Sequence, residues 1–188
     1  MTNFIPKSWG VSVPPFIQDT REQWPLDLDA WPGGVKVDTL KFGDYGLEGF
    51  SGIDYPRIIF ERKSLADIVG SLTYGRERFM KEVEALRRFQ FSCIVIEAER
   101  AQLDNEDYRG ITSSESLRQT LFAIMVRTGV HVHWAGNRAN AAQSVMGMGR
   151  QFLRGLVKDV QRLPKIGRRE KGSRRVVEGQ VICFFSLE

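Results

Sequence analysis

The stretch Ile58-Ile59-Phe60-Glu61-Arg62-Lys63 constrains the fold most, because three β-prone apolar residues stop abruptly at three consecutive charges. Arg57–Arg62 therefore reads as a strand whose charged end reaches a sheet edge. Ser64 opens a helix on which Leu65, Ile68, Val69 and Leu72 recur at helical spacing, and Gly75 breaks it. Upstream, strands are expected at Phe16–Asp19, at Val35–Phe42, where apolar and polar residues alternate, and at Tyr45–Leu47. Loops rich in Pro and Gly cover 24–34 and 49–56. Downstream, a helix over 77–89 carries Phe79, Val83 and Leu86 on one face. Cys93–Ile96 is apolar throughout, which suits a strand covered on both sides. Thr112 or Ser113 caps a helix running to Arg127, with Leu117, Leu121, Ile124 and Met125 as its core face. Gly129 ends it, Val130–Trp134 makes another strand, and a long helix, Arg138–Leu163, stops at Pro164. Strands gathered first and then alternating with helices predict an α/β domain with a mixed central sheet flanked by helices.

With 188 residues, 42% of them hydrophobic, one sizeable core is expected. Residues 1–15, with Pro6, Pro14 and Pro15, read as an N-terminal arm, 16–163 as the domain, and 164–188 as a basic tail. Lys165–Arg175 holds six basic residues against Glu170, and Val181–Phe185 is expected to return as an edge strand. No apolar run approaches the ~20 residues that cross a bilayer, and the N-terminus lacks the pattern of a signal peptide. A cytoplasmic location, in a bacterial or phage-infected cell, is the expectation. Cys93 and Cys183 read as buried free thiols of a reducing compartment, with a disulfide as the alternative. The formal charge of +4 favours a polyanionic partner only slightly.

Chemistry concentrates in Gly43-Asp44-Tyr45 and in Glu61-Arg62-Lys63-Ser64-Leu65-Ala66-Asp67. On a strand, residues two apart share a face, so Glu61 and Lys63 point one way and Arg62 the other. Asp67 follows in the first helical turn, and Asp44 reaches the same edge if its strand pairs with that of Glu61 as a hairpin. Three carboxylates and one ammonium then converge. Two carboxylates ~4 Å apart repel by roughly 4 kcal/mol at an effective dielectric of 20, so three call for a cation or a proton. Hard cations such as Mg²⁺ take one or two carboxylates and keep several waters. A carboxylate-held ion of this kind suits phosphodiester hydrolysis, and a neighbouring lysine can position water or stabilise the phosphate. Taken singly, Asp67 is the N3 member of a capping box, Gly43-Asp44 a turn, and Glu61 with Lys63 an ion pair. Their sequence after an apolar run resists that account.

Those two segments, together with Asp19-Thr20-Arg21-Glu22, resemble the ERCC4-type nuclease domain of the XPF kind, whose signature is Gly-Asp, then Glu-Arg-Lys, three residues and Asp. The resemblance runs from Phe16 to Trp134. It implies a restriction-endonuclease-like core and Mg²⁺- or Mn²⁺-dependent endonuclease cutting of branched, flapped or junction DNA, with roles in DNA repair and recombination. It makes Asp44, Glu61 and Asp67 metal ligands and Lys63 the catalytic lysine. Asp19 and Glu22 would support the site, and Arg21, Arg62 and either Arg76 or Arg78 would contact DNA. After Trp134 the helix and basic tail stand where many relatives append helix-hairpin-helix modules, as in a stand-alone phage or bacterial type. Helices of this half imply a possible homodimer. A non-catalytic DNA-binding module of the family, and a junction resolvase or restriction-type nuclease of the same broad fold, are the alternatives.

Some residues stay outside that scheme. His131 and His133 share a strand face and could hold a metal, although no third ligand is evident and ordinary strand histidines are the commoner case. Trp9, Trp24 and Trp31 lie in loop-like sequence, where they either plug a core edge or stack on unpaired bases.

Overall fold

The computed structural model describes residues 12–110 and 112–162. The arm residues up to 11 and the tail from 163 onward, with Trp9, Cys183 and the strand expected at Val181–Phe185, lie outside them. Strands β1 (Phe16–Asp19), β2 (Val35–Asp38), β3 (Tyr45–Leu47), β4 (Ile58–Lys63), β5 (Phe91–Ile96) and β6 (His131–Trp134) form one sheet in the order β2-β1-β3-β4-β5-β6. β3 is antiparallel to β1 and β4, while β1–β2, β4–β5 and β5–β6 are parallel. Five helices flank it: α1 (Leu65–Leu72), α2 (Arg76–Leu86), α3 (Arg100–Asp104), α4 (Ser114–Thr128) and α5 (Arg138–Arg162).

Alternation along the central strands sorts side chains to two faces. Ile58, Phe60, Cys93 and Val95 pack with Phe16, Trp31 and the α5 residues Ala141, Ala142, Val145 and Leu153. Ile59, Ile94 and Ile96 pack with Ile68, Phe79, Val83, Leu117, Leu121 and Ile124 from α1, α2 and α4. Both faces of β4 and β5 are thus covered, which is why their runs read as apolar without alternation. α5 approaches the sheet closely at Gly149, where a Cβ would lie 2.8 Å from Cζ of Phe16.

α2 ends at Leu86 rather than at 89 and β5 begins at Phe91 rather than Cys93, and three larger details differ from the sequence expectation. β2 stops at Asp38 rather than Phe42, and all four of its residues are exposed, because it is an edge strand with no helix over it among the described residues. α3 is an additional short helix within the polar loop, held by reciprocal bonds between Glu99 and Gln102. Met125 is exposed rather than part of the α4 core face. Cys93 is a buried free thiol, and burial pushes it up to about 12, so it is chemically quiet. Among the described residues no helix is long and apolar enough to cross a membrane.

Candidate active site

β1, β4 and β5 end, and β3 begins, on the same side of the sheet. The backbone N–H of Asp19 bonds to the Asp44 carbonyl at 2.8 Å, and that of Asp44 to the Phe60 carbonyl at 2.8 Å. Asp19, Asp44 and Glu61 therefore stand in a row across three adjacent strands. The chain can turn into β3 here because Gly43 has φ +70°, with Ile59 Cγ1 only 2.6 Å from where a Cβ would be.

Each side chain in the row has a different fate. The Asp19 carboxylate is fully engaged: Oδ1 accepts from Arg21 N (2.9 Å) and Nε (2.6 Å), and Oδ2 from Leu40 N (2.7 Å) and an Arg21 guanidinium N–H (3.2 Å). Burial alone would raise this carboxyl, but the Arg21 and Leu40 donors outweigh it and hold Asp19 below the usual value. Asp44 Oδ2 accepts from the Arg62 backbone N–H at 2.7 Å. Burial, with the Glu61 charge beside it, pushes the Asp44 carboxyl up to about 7. Burial also raises Glu61, against the pull of Lys63, whose Nζ lies 2.5 Å from Oε1. Burial would lower Lys63, yet Glu61 and then Glu82 hold it above its ordinary value, so the ammonium keeps its charge. The acids are the strained members.

Asp44, Glu61, Lys63, Asp67, Arg21 and Arg78 line a cavity of about 590 Å³, together with Trp24, Gly70 and Gly75. Asp67 is on its wall, but its carboxylate accepts from Ser64 N (3.3 Å) and Ser64 Oγ (2.7 Å), closing the capping box of α1. Among the described residues no three of His, Cys, Asp or Glu form a ready metal cage. The donor set nevertheless fits a hard divalent ion. Buried Glu61 and half-buried Asp44 each have one oxygen free of donors among the described residues, and Mg²⁺ needs no more than two carboxylates.

The arginines divide. Arg62 points to the other side of β4 from Glu61 and Lys63, where Nε and Nη2 grip both oxygens of Glu97 at 2.8 and 3.0 Å and Nη1 lies 3.6 Å from Glu22. Arg62 and Glu22 still line the cavity, and the Glu22 charge adds to the rise of Asp44 and Glu61. Arg78 is on the cavity wall, whereas Arg76 bonds to Thr120 Oγ1 on α4 at 3.3 Å and is not part of it. Of the pair left open by sequence, Arg78 faces the site. Glu82, 3.8 Å from Lys63, also joins the neighbouring cavity wall. Glu97 and Arg138, which bonds to Glu97 at 3.2 Å, carried no sequence signal as partners, since they are 41 residues apart and meet only in the fold. His131 stacks on Phe91 and His133 bonds to Ser144 at 2.8 Å, so the histidine pair has structural partners. Trp31 is buried and Trp24 exposed.

The family profile described as the ERCC4 domain matches residues 19–148. No curated protein matches the chain. Among solved structures it is similar to XPF from Aeropyrum pernix, at 24% identity and a TM-score of 0.58, over 79% of this chain and 69% of that one. It is also similar to XPF from Aeropyrum pernix in complex with DNA, at 20% identity and a TM-score of 0.56, over 81% and 68%. With these it shares the restriction-endonuclease-like fold.

Proposed function

The chain belongs to the ERCC4 domain family, and from that premise we propose that it is a metal-dependent DNA endonuclease hydrolysing phosphodiester bonds. The observation that carries the proposal is the pairing of buried Glu61 on β4 with half-buried Asp44 at the start of β3, with Lys63 ion-paired to Glu61. Asp44 and Glu61, with Asp67 at the wall, would hold Mg²⁺ or Mn²⁺, which supplies Lewis acidity and lowers the pKa of a bound water. Lys63 stays protonated and offers N–H donors to a phosphate oxygen on the side where Glu61 fixes it. Arg21, anchored by Asp19, and Arg78 add positive charge to the cavity wall. Arg62 and Glu22, which also line the cavity, hold the strand ends, and the Glu22 charge adds to that of the two acids.

Branched, flapped or junction DNA is the proposed substrate class, in repair or recombination in the cytoplasm. The solved relative in complex with DNA supports nucleic acid as the ligand. Exposed Phe122, Met125 and Val126 on α4 support a homodimer. The filled acid and lysine positions favour an enzyme over a non-catalytic module. The test is cleavage of linear duplex, fork, flap and four-way junction in Mg²⁺ by the wild type, Asp44→Ala and Lys63→Ala. Both variants should lose cutting while binding persists, and full activity in either would remove the assignment.

A further inference from the structure

We propose that Trp24 is a stacking platform for an unpaired base next to the scissile phosphate. The inference rests on the nuclease reading and names the part of the substrate that this site grips. Trp24 is 65% exposed, yet it lies on the wall of the cavity that holds Asp44, Glu61 and Lys63. An exposed indole normally gains by burial, so an uncovered one at a reaction centre is a surface that awaits a flat apolar partner.

Its position is imposed rather than incidental. The Trp24 N–H donates to Glu22 Oε1 at 2.8 Å, and its carbonyl accepts from Arg138 at 2.7 Å. Glu22 and Arg138 are themselves joined through Arg62 and Glu97. Pro25 follows and keeps the Trp24 backbone extended. The backbone that carries the indole is thus held by Glu22 and by Arg138 of α5, and through Arg62 to the end of β4, which lowers the entropy lost on stacking. Gly70 of α1 and Gly75 also line the cavity, and a Cβ on Gly70 would meet nothing within 4 Å. The cavity of about 590 Å³ leaves room for a base and sugar. Every base has a π-face, and a paired base keeps its faces inside the duplex stack, so the site takes an unpaired nucleotide.

The test is equilibrium binding of the full chain, by fluorescence anisotropy in EDTA so that no strand is cut. The probes are a labelled duplex with a single-stranded overhang and a blunt duplex of equal length. Trp24→Ala should weaken overhang binding roughly tenfold or more and blunt-duplex binding less than twofold. Trp24→Phe should recover most of the loss. Equal losses on both probes, no loss on either, no binding of the overhang by the wild type, or a change of oligomeric state in Trp24→Ala would overturn the proposal. Cutting in Mg²⁺, measured separately, tells the two readings apart. A Trp24-dependent binder that never cuts removes only the nuclease reading, and a nuclease indifferent to Trp24 removes only this one.

Discussion

The backbone N–H of Arg62 donates to Oδ2 of Asp44 at 2.7 Å while the Arg62 side chain crosses to the other face to hold both oxygens of Glu97. One residue thereby orients a candidate metal ligand on one side of the sheet and closes an ion-pair network on the other. The bond fixes one Asp44 oxygen and leaves the second available. It also explains why the middle charge of Glu61-Arg62-Lys63 is needed, since its side chain has a different task from its neighbours.

Metal binding should be visible without any substrate. An ion that binds the folded chain alone stabilises it by about 1.4 kcal/mol at ten times its dissociation constant, a rise of a few degrees in Tm for a chain of this size. Asp44→Asn should fold at least as stably as wild type in EDTA, because it removes a buried carboxyl that burial disfavours, and should lose most of the Mg²⁺ response. Thermal denaturation across a Mg²⁺ titration measures both. An unchanged response in Asp44→Asn would exclude Asp44 as a ligand.

Asp67 carries two candidate roles that one substitution pair separates. Asp67→Asn keeps an oxygen able to accept from Ser64 N, so α1 should stay capped, whereas Asp67→Ala should cost about 1 kcal/mol. If Asp67 also binds metal, Asp67→Asn should reduce cleavage at least tenfold at unchanged stability. Cleavage within threefold of wild type would leave Asp67 as a cap alone.

Arg78 and Arg76 should differ in DNA binding. Arg78→Ala should weaken binding and reduce the slope of log affinity against log salt by about 0.9, the effect of one lost phosphate contact. Arg76→Ala should change neither, since that side chain bonds to Thr120. Salt titrations of both variants decide it, and the reverse pattern would contradict the placement.

Asp19 gives a pH signature for stability. Although burial opposes it, the Arg21 and Leu40 donors lower its folded pKa below the ordinary 3.8. The unfolded chain therefore takes up this proton first as pH falls. The stabilisation is present above about pH 4 and is lost as pH drops through the folded value. Wild type should lose stability steeply below pH 4, and Asp19→Asn, weaker at neutral pH by about 2–3 kcal/mol from unmatched donors, should show a shallower acid limb. Urea unfolding at pH 3 to 7 measures this, and parallel curves would refute it.

By itself the sequence determined the strands from β3 to β6, the capped start of α1 and the placement of Glu61 and Lys63 on one face. Those depend on periodicity, caps and turn residues, which act over a few positions. It also marked Asp44 and Asp67 as candidates, through their place at the same sheet edge and through the family signature. Only the tertiary structure decided how the charges are shared. It put Arg78 rather than Arg76 on the cavity wall, bound Asp19 to Arg21 and Leu40, and joined Arg62, Glu97 and Arg138. It left β2 short and exposed at the sheet edge. Burial separates the two kinds of knowledge. A carboxyl such as Asp44 rises to about 7 only when the fold withdraws it from water beside Glu61, and no local pattern encodes that withdrawal.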